Sequence, residues 1–153
     1  MKLLLYSHFF APSIGGVETI VLSLARGLAE LRTASNERQF DVMVVTQTLA
    51  GDFDDRLLPF ALVRQPRLIE LWRRIRECDV VHLAGPSLAP LFLAWLAGKP
   101  VVVEHHGYQA ICPNGVLVYQ PEGSICPGHF QARRYGGVCS LPGLPNFPAW
   151  QLG

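Results

Sequence analysis

The chain has 153 residues, of which 50% are hydrophobic and 16% are charged, and its formal net charge is +1. This length allows one domain with a substantial core but not two such domains. The composition excludes a disordered or fibrous protein, and the near-neutral charge gives no support for nucleic acid as a partner.

Apolar runs and helical patterns alternate through the first hundred residues. The runs that predict buried strands cover residues 2–6, 40–46, 60–63, 79–83 and 100–105. The helical patterns cover residues 17–31, 67–77 and 87–97, and the first of them has its apolar residues at Ile20, Val21, Leu24, Leu28 and Leu31. This order predicts an α/β fold with a doubly wound, mainly parallel Rossmann-like sheet in residues 1–106.

Residues 107–153 show neither a strand period nor a helix period. The segment is rich in glycine, proline and cysteine, and we interpret it as an irregular part of the same domain. A stretch of this length without regular structure is unusual inside a compact domain. We therefore expect it to be a functional loop region in a chain that is truncated.

The sequence gives no indication of export or of a membrane span. Its start lacks a signal-like apolar region, and its longest apolar segment, residues 83–97, is interrupted by glycine and proline. Cys78 lies far from the other three cysteines, and three cannot pair evenly. We expect a cytoplasmic protein.

Two adjacent glycines join the predicted first strand to the first helix. Gly15, Gly16 and Val17 would present backbone N–H groups without intrahelical partners at the positive end of the helix dipole. Because glycine has no Cβ, the chain can adopt a positive φ and a ligand can approach closely. The turn therefore predicts a phosphate site, although a tight connection without a ligand is the alternative. The fingerprints of NAD-binding and P-loop proteins are absent.

Histidines lie at or near the ends of the predicted fourth and fifth strands. They are His82, His105 and His106, and the last is followed by Gly107. Ligands of doubly wound sheets bind beyond the carboxyl ends of the strands, and imidazoles can hydrogen-bond to sugar hydroxyls and phosphates. Strand alternation sends His105 and His106 to opposite faces, so only one can point into a common site. A purely structural role is the alternative for His82 and His106.

Three motifs in this order resemble the N-terminal domain of family 4 retaining glycosyltransferases of the GT-B fold. They are Pro12-Ser-Ile-Gly-Gly-Val-Glu18, Asp79-Val-Val-His82 and Pro100-Val-Val-Val-Glu-His-His-Gly107, and the resemblance covers residues 1 to about 110. It implies that Gly15 and Gly16 lie near the donor diphosphate and that His106 is the catalytic residue that contacts the transferred sugar. We expect the substrate-binding residues to be Gly15, Gly16, Glu18, His82, His105 and Gly107. Ala84 replaces a frequent second histidine.

The resemblance also implies an activity. The expected reaction transfers a hexose from a nucleotide diphosphate sugar to the hydroxyl of a glycan or lipid-linked acceptor, with retention, in polysaccharide, lipopolysaccharide or glycolipid synthesis. No cofactor is required for transfer in the resembled family, whose second domain holds the donor, so we expect the 153-residue chain alone to be inactive. Two alternatives remain: a non-catalytic half-domain that binds a glycan or partner, and another nucleotide-dependent α/β enzyme, such as a sugar epimerase.

Four potential metal ligands lie in the irregular segment. Cys112, Cys126, His129 and Cys139 would satisfy a tetrahedral zinc ion, which could hold together a loop without a core. Their spacing is not a standard one. A structural zinc site is therefore one interpretation, beside a disulfide and plain unpaired cysteines.

The predicted helix of residues 67–77 is basic. It carries Arg67, Arg73, Arg74 and Arg76 together with Trp72. In the resembled family, members that act on lipid-linked acceptors often attach to the membrane through such a helix. The resemblance therefore implies that this helix can contact the inner face of the membrane. The alternative is a helix that covers the sheet and has a solvated basic face.

Overall fold

The computed structural model describes residues 1–108, 118–119 and 124–125. The chain divides into two compact units, Met1–His106 and Gly107–Gly153. The strands of the first unit are β1 (Lys2–Ser7), β2 (Asp41–Thr46), β3 (Ala61–Arg64), β4 (Val80–Ala84) and β5 (Val101–Glu104). Its α-helices are α1 (Gly16–Glu30), α2 (Leu68–Glu77) and α3 (Leu88–Leu96), and Asp55–Leu57 forms a short 3₁₀ turn.

The five strands form one parallel sheet in the order β3-β2-β1-β4-β5. Helix α1 packs on one face, whereas α2 and α3 pack on the other. This arrangement confirms the predicted doubly wound Rossmann-like fold, and the predicted element ends differ from the observed ones by one residue at most. The sequence pattern did not predict the two-residue strands β6 (Val118–Tyr119) and β7 (Ser124–Ile125) of the second unit, which pair antiparallel.

The three central strands, β1, β2 and β4, are largely buried on both faces, which explains why they are continuously apolar. The edge strands β3 and β5 contain no fully buried residue. Leu3, Leu5 and Val44 pack in the cluster that includes α1. Leu4 and Val81 belong to the opposite cluster, with residues of α2 and α3. Alternate residues of a strand thus enter different cores.

Helix α1 contacts the sheet through three buried residues of small or medium size and through partly buried side chains that include Leu24 and Leu28. Val21, Ala25 and Ala29 are buried, whereas Ile20 and Leu31 are largely exposed. The expectation that the last two lie on the apolar face is therefore wrong. Leu31 follows the helix as its C-cap residue, and Ile20 lies one position before the buried Val21, about 100° around the helix.

Arg64, the last residue of β3, links the loops that follow β1 and β2. Its guanidinium donates to both carboxylate oxygens of Asp55, at 2.7 and 2.8 Å, and to the carbonyl oxygens of Thr48 and Leu49, at 2.9 and 3.2 Å. The guanidinium carbon also lies 5.9 Å from the ring centroid of Phe10. The Arg64 side chain is only 11% exposed, whereas the Asp55 side chain is 34% exposed, so water still reaches the carboxylate.

Asp55→Asn is expected to lower the free energy of unfolding at pH 7 by about 1 kcal/mol or less, since water screens a partly exposed pair. Hydrogen bonding to Arg64 holds the pKa of the Asp55 carboxyl below its usual value. The stabilisation is therefore full above the unfolded-state pKa of about 3.9 and is lost as the pH falls through the folded-state value. Urea unfolding of both proteins at pH 7 and pH 2.5 tests this, and a difference that does not shrink in acid contradicts it.

The outer faces of α2 and α3, which contact each other, expose large apolar side chains. On α3, which contains no charged residue, Phe92 and Trp95 are 59% and 70% exposed, and their ring centroids lie 5.8 Å apart. On α2, the Arg76 guanidinium carbon lies 5.9 Å from the ring centroid of Trp72. We define the α2–α3 surface as Leu68, Ile69, Trp72, Arg73, Arg76, Leu88, Phe92, Trp95 and Leu96.

None of the helices in the described part of the chain has the length and the apolar character needed to cross a membrane.

Candidate functional site

The sheet order places a topological switch point between β1 and β4. From β1 the chain moves outward to β2 and β3, then crosses to β4 and continues to β5 on the other side. In such sheets the crevice beyond the carboxyl ends of the two central strands is the usual ligand site. Gly15 and Gly16 follow β1 and His106 follows β5, so both groups belong to this edge.

The glycine turn forms the start of α1. Gly15 is the N-cap residue in an extended conformation, with φ −166° and ψ 175°, and it makes no side-chain cap. Gly16 is the first helical residue, and neither glycine has a positive φ. The positive φ that glycine permits is therefore used at neither position. The first three N–H groups of α1, from Gly16 to Glu18, have no intrahelical partner.

Gly15 needs to be glycine for a different reason, which is the position of Glu18. A Cβ on Gly15 would collide with the Glu18 carboxylate, whereas a Cβ on Gly16 would meet nothing within 4 Å. The carboxylate thus lies over Gly15 in the first turn of α1, where a negative charge stabilises the helix dipole. It also adds a negative charge beside the predicted phosphate site.

Two histidines and a glutamate form a compact cluster near the carboxyl ends of β4 and β5. Glu104 Oε2 lies 3.4 Å from His82 Nε2 and 3.5 Å from His106 Nε2. Both histidine side chains are 15% exposed, and that of Glu104 is 31% exposed. We call these three residues the His–Glu–His cluster.

The strand register explains how the cluster forms. His82 pairs with Leu5 of β1 and with Val102 of β5, and Glu104 is the next residue of β5 on the same face. Leu5 packs in the apolar cluster that includes α1. The His82 and Glu104 side chains therefore extend from the sheet face that α1 covers, the face on which the glycine turn begins its helix.

His105 does not join the cluster. This histidine is exposed, and its side chain makes no ion pair with an acidic group of the described residues. Strand alternation was the sequence-based reason for placing His105 and His106 on opposite faces. That reason was wrong, because β5 ends at Glu104 and neither histidine lies in the strand. His106 is the histidine that turns back toward Glu104.

The remaining predicted ligands give less information. Within residues 1–108, 118–119 and 124–125, no group of three or more His, Cys, Asp or Glu side chains is arranged to hold a metal ion. The predicted zinc ligands Cys112, Cys126, His129 and Cys139 lie outside the described residues. Gly107 is described, but it belongs to the second unit.

Cys78 is a structural thiol. It is buried and free, and its Sγ donates to the carbonyl oxygen of Ile75 at 3.1 Å. Burial raises the pKa of this thiol, which disfavours the reactive thiolate.

Sequence reasoning missed Glu104 as a site residue. It lies inside the motif of residues 100–107, directly before the two histidines, and an acidic residue at the carboxyl end of a mostly apolar strand was the available signal. Its proximity to His82 depends on the β4–β5 register, which the sequence alone does not provide.

A parallel Rossmann-like sheet with a glycine turn after its first strand and a histidine cluster at its carboxyl edge is consistent with the class of GT-B half-domains. Within this class, a sequence model described as Glycosyltransferase Family 4 matches residues 14–135, most of the chain. The chain belongs to Glycosyltransferase Family 4. Comparisons with curated proteins and with solved structures gave no match. A glycosyltransferase acts on a sugar donor and an acceptor, so membership of this family implies these two general classes of substrate.

Proposed function

We propose that this domain is the acceptor-side half of a retaining hexosyltransferase whose donor is a nucleotide diphosphate sugar. The observation that carries the proposal is the family match across residues 14–135, which includes both the start of α1 and the His–Glu–His cluster. The acceptor is a hydroxyl of a glycan or a lipid-linked glycan in polysaccharide, lipopolysaccharide or glycolipid synthesis.

The start of α1 is the proposed site for the donor diphosphate. Its N–H groups from Gly16 to Glu18 and the positive end of its dipole stabilise an anion there. During transfer, negative charge develops on the leaving diphosphate, and donors fixed before the reaction stabilise that charge without reorganising. These N–H groups therefore stabilise the transition state more than they stabilise the bound substrate.

His106 is the proposed contact to the transferred sugar. Its side chain is 15% exposed and lies beside Glu104 at the carboxyl edge. An imidazole held in one orientation can fix a hydroxyl of the hexose by a hydrogen bond. In this proposal the transfer requires no cofactor, and a second domain supplies the remaining contacts to the donor, so the 153-residue chain alone does not turn over.

The test is transfer by the natural gene product, with the 153-residue chain assayed beside it. Nucleotide diphosphate hexoses are incubated with glycan acceptors, and proton NMR reports the anomeric configuration of the first product formed. Retention with release of the nucleoside diphosphate supports the proposal. An inverted product overturns retention, an epimerised nucleotide sugar indicates the epimerase alternative, and acceptor binding without transfer indicates a binding module.

Glu18→Gln is expected to tighten binding of uridine or guanosine diphosphate about fivefold. The change removes a negative charge beside the proposed phosphate site, and a like-charge interaction of about 1 kcal/mol at a partly solvated site corresponds to that factor. Isothermal titration calorimetry measures the affinity. Glu30→Gln, an exposed substitution at the other end of α1, is the matched control. Weaker binding by Glu18→Gln would contradict a diphosphate site at Gly15 and Gly16.

The proposal also places the protein at the inner face of the cytoplasmic membrane. Helix α2 and its N-cap residue cover residues 67–77, the segment through which the resemblance implies a membrane contact. The α2–α3 surface supports this, because it combines exposed Leu, Phe and Trp side chains with Arg73 and Arg76. Apolar side chains of this kind enter the headgroup region, and arginines favour anionic lipids.

Vesicle flotation tests the membrane contact. The protein is expected to float with vesicles that contain phosphatidylglycerol and much less with purely zwitterionic vesicles. Exchanging Phe92 and Trp95 for serine should reduce binding at least tenfold, because both rings lose apolar burial. Exchanging Arg73 and Arg76 for glutamine should abolish the preference for anionic lipid. Arg26→Gln with Arg38→Gln, two exposed arginines outside this surface, is the control pair.

A further inference from the structure

Two imidazole nitrogens converge on a single carboxylate oxygen in the His–Glu–His cluster. Glu104 Oε2 has His82 Nε2 at 3.4 Å and His106 Nε2 at 3.5 Å. Glu104 Oε2 and His106 Nε2 are both buried and neither has a hydrogen-bond partner. Buried polar atoms are nearly always paired, because leaving one unpaired costs about 1 to 3 kcal/mol. A displacement of a few tenths of an ångström would pair these two atoms with each other.

The chemistry of the groups decides where the protons lie. An ionised carboxylate oxygen only accepts hydrogen bonds, whereas one nitrogen of a neutral imidazole carries a proton and the other carries a lone pair. If Nε2 faced Glu104 with its lone pair, two negative regions would repel each other at 3.5 Å. The geometry therefore favours the Nε2–H tautomer for both His82 and His106.

Fixing the proton on one nitrogen assigns the other nitrogen its role. When Nε2–H of His106 is directed at Glu104, Nδ1 is the ring nitrogen that remains for another partner, and in the neutral ring it accepts a hydrogen bond. A hydroxyl group of a sugar is a donor of the right kind. His82 Nε2 faces the same carboxylate oxygen from β4, at 3.4 Å.

We propose that Glu104 is a positioning residue that fixes His106 in the Nε2–H tautomer and leaves Nδ1 to accept a hydrogen bond from a hydroxyl of the transferred sugar. The identity of the substrate rests on the proposed function. The tautomer itself is a property of the chain without substrate, so the two claims are tested separately.

The first experiment measures the tautomers directly. The 153-residue chain is labelled with ¹⁵N-histidine, and long-range ¹H–¹⁵N correlation spectra are recorded at alkaline pH. His82→Gln and His106→Gln assign the signals. We expect a single Nε2–H tautomer for both rings, and a mixture or an Nδ1–H tautomer for His106 in the unsubstituted protein overturns the proposal.

Substitutions of Glu104 then show whether this residue is the cause. Glu104→Gln keeps an acceptor oxygen and should retain the Nε2–H tautomer of His106. Glu104→Leu has no acceptor, and the Nδ1–H tautomer should appear, while the exposed His105 stays unchanged. Circular dichroism verifies folding, and Glu104→Met replaces the leucine variant if that variant fails to fold. An unchanged His106 tautomer in the folded apolar variant overturns the proposal.

Activity of the natural gene product tests the consequence for transfer. Glu104→Leu should lower kcat about 10- to 100-fold, as expected when a reacting group loses its orientation, with KM for the donor nearly unchanged. Glu104→Gln should recover most of the rate. An unchanged kcat in Glu104→Leu removes the role in transfer. If the unsubstituted protein transfers no sugar, the proposed function fails while the tautomer result stands on the spectra.

Discussion

Replacing His106 with alanine is expected to lower kcat for sugar transfer by about 100-fold or more while leaving the fold intact. The lost imidazole is the proposed contact to the transferred sugar, and removal of one fixed hydrogen-bonding group from an active site costs about 10² to 10³ in rate. The side chain follows β5 instead of lying within the strand, so its removal creates no cavity in either apolar core. Thermal unfolding should therefore change little.

The experiment compares three substitutions of His106 in the natural gene product. Asparagine places a polar atom near the position of Nδ1, whereas glutamine places one near the position of Nε2. If Nδ1 is the substrate contact, His106→Asn should retain more activity than His106→Gln, and His106→Ala should retain the least. Initial rates at saturating donor and acceptor give kcat. An alanine variant that turns over at the unsubstituted rate would remove His106 from the site.

Phe10→Ala is expected to give the largest loss of stability, about 3 to 5 kcal/mol in the free energy of unfolding. Phe10 is fully buried in the loop after β1, and its ring meets those of Phe53 and Phe60 edge-on, with centroids 6.5 Å apart in each case. Its backbone N–H donates to Thr48 Oγ1 at 2.9 Å. The substitution leaves a cavity and also removes the aromatic face beside the Arg64 guanidinium.

Phe9 provides the matched control for this prediction. It is the neighbouring residue of the same type but is 57% exposed, so Phe9→Ala should change the free energy of unfolding by about 0.5 kcal/mol or less. Urea unfolding followed by circular dichroism measures both variants. Equal losses for the two phenylalanines would show that the loop is not anchored through Phe10. The same loop leads to Gly15, so we also expect Phe10→Ala to weaken nucleoside diphosphate binding.

The order of strands and helices could be predicted from the sequence because the central strands are covered on both faces and the edge strands are also apolar. Such strands are continuous apolar runs, and they stand out from the helical spacing between them. The crossover connections then favour a parallel sheet with a site at its carboxyl edge. The start of α1 and the position of His106 follow from this order together with the resemblance to the family.

Contacts that depend on strand register or on loop conformation could not be predicted. Glu104 meets His82 only because β5 pairs with β4 in one particular register. Arg64 meets Asp55 and Phe10 through loops that belong to different strands, and neither loop has a period in the sequence. The reason for glycine at position 15 could not be predicted either, because it depends on the conformation of the Glu18 side chain, whose carboxylate lies over Gly15.

The small residues of α1 set the spacing between this helix and the sheet. Ala25 and Ala29 are buried against the strands, and a bulkier side chain at either position would push the helix outward or tilt it. The first turn of α1 would move with the rest of the helix, since a helix of 15 residues behaves as a stiff rod. Substitutions at these two positions would therefore change the gap between the proposed anion-binding turn and the histidines, while every polar group of the candidate site stays the same.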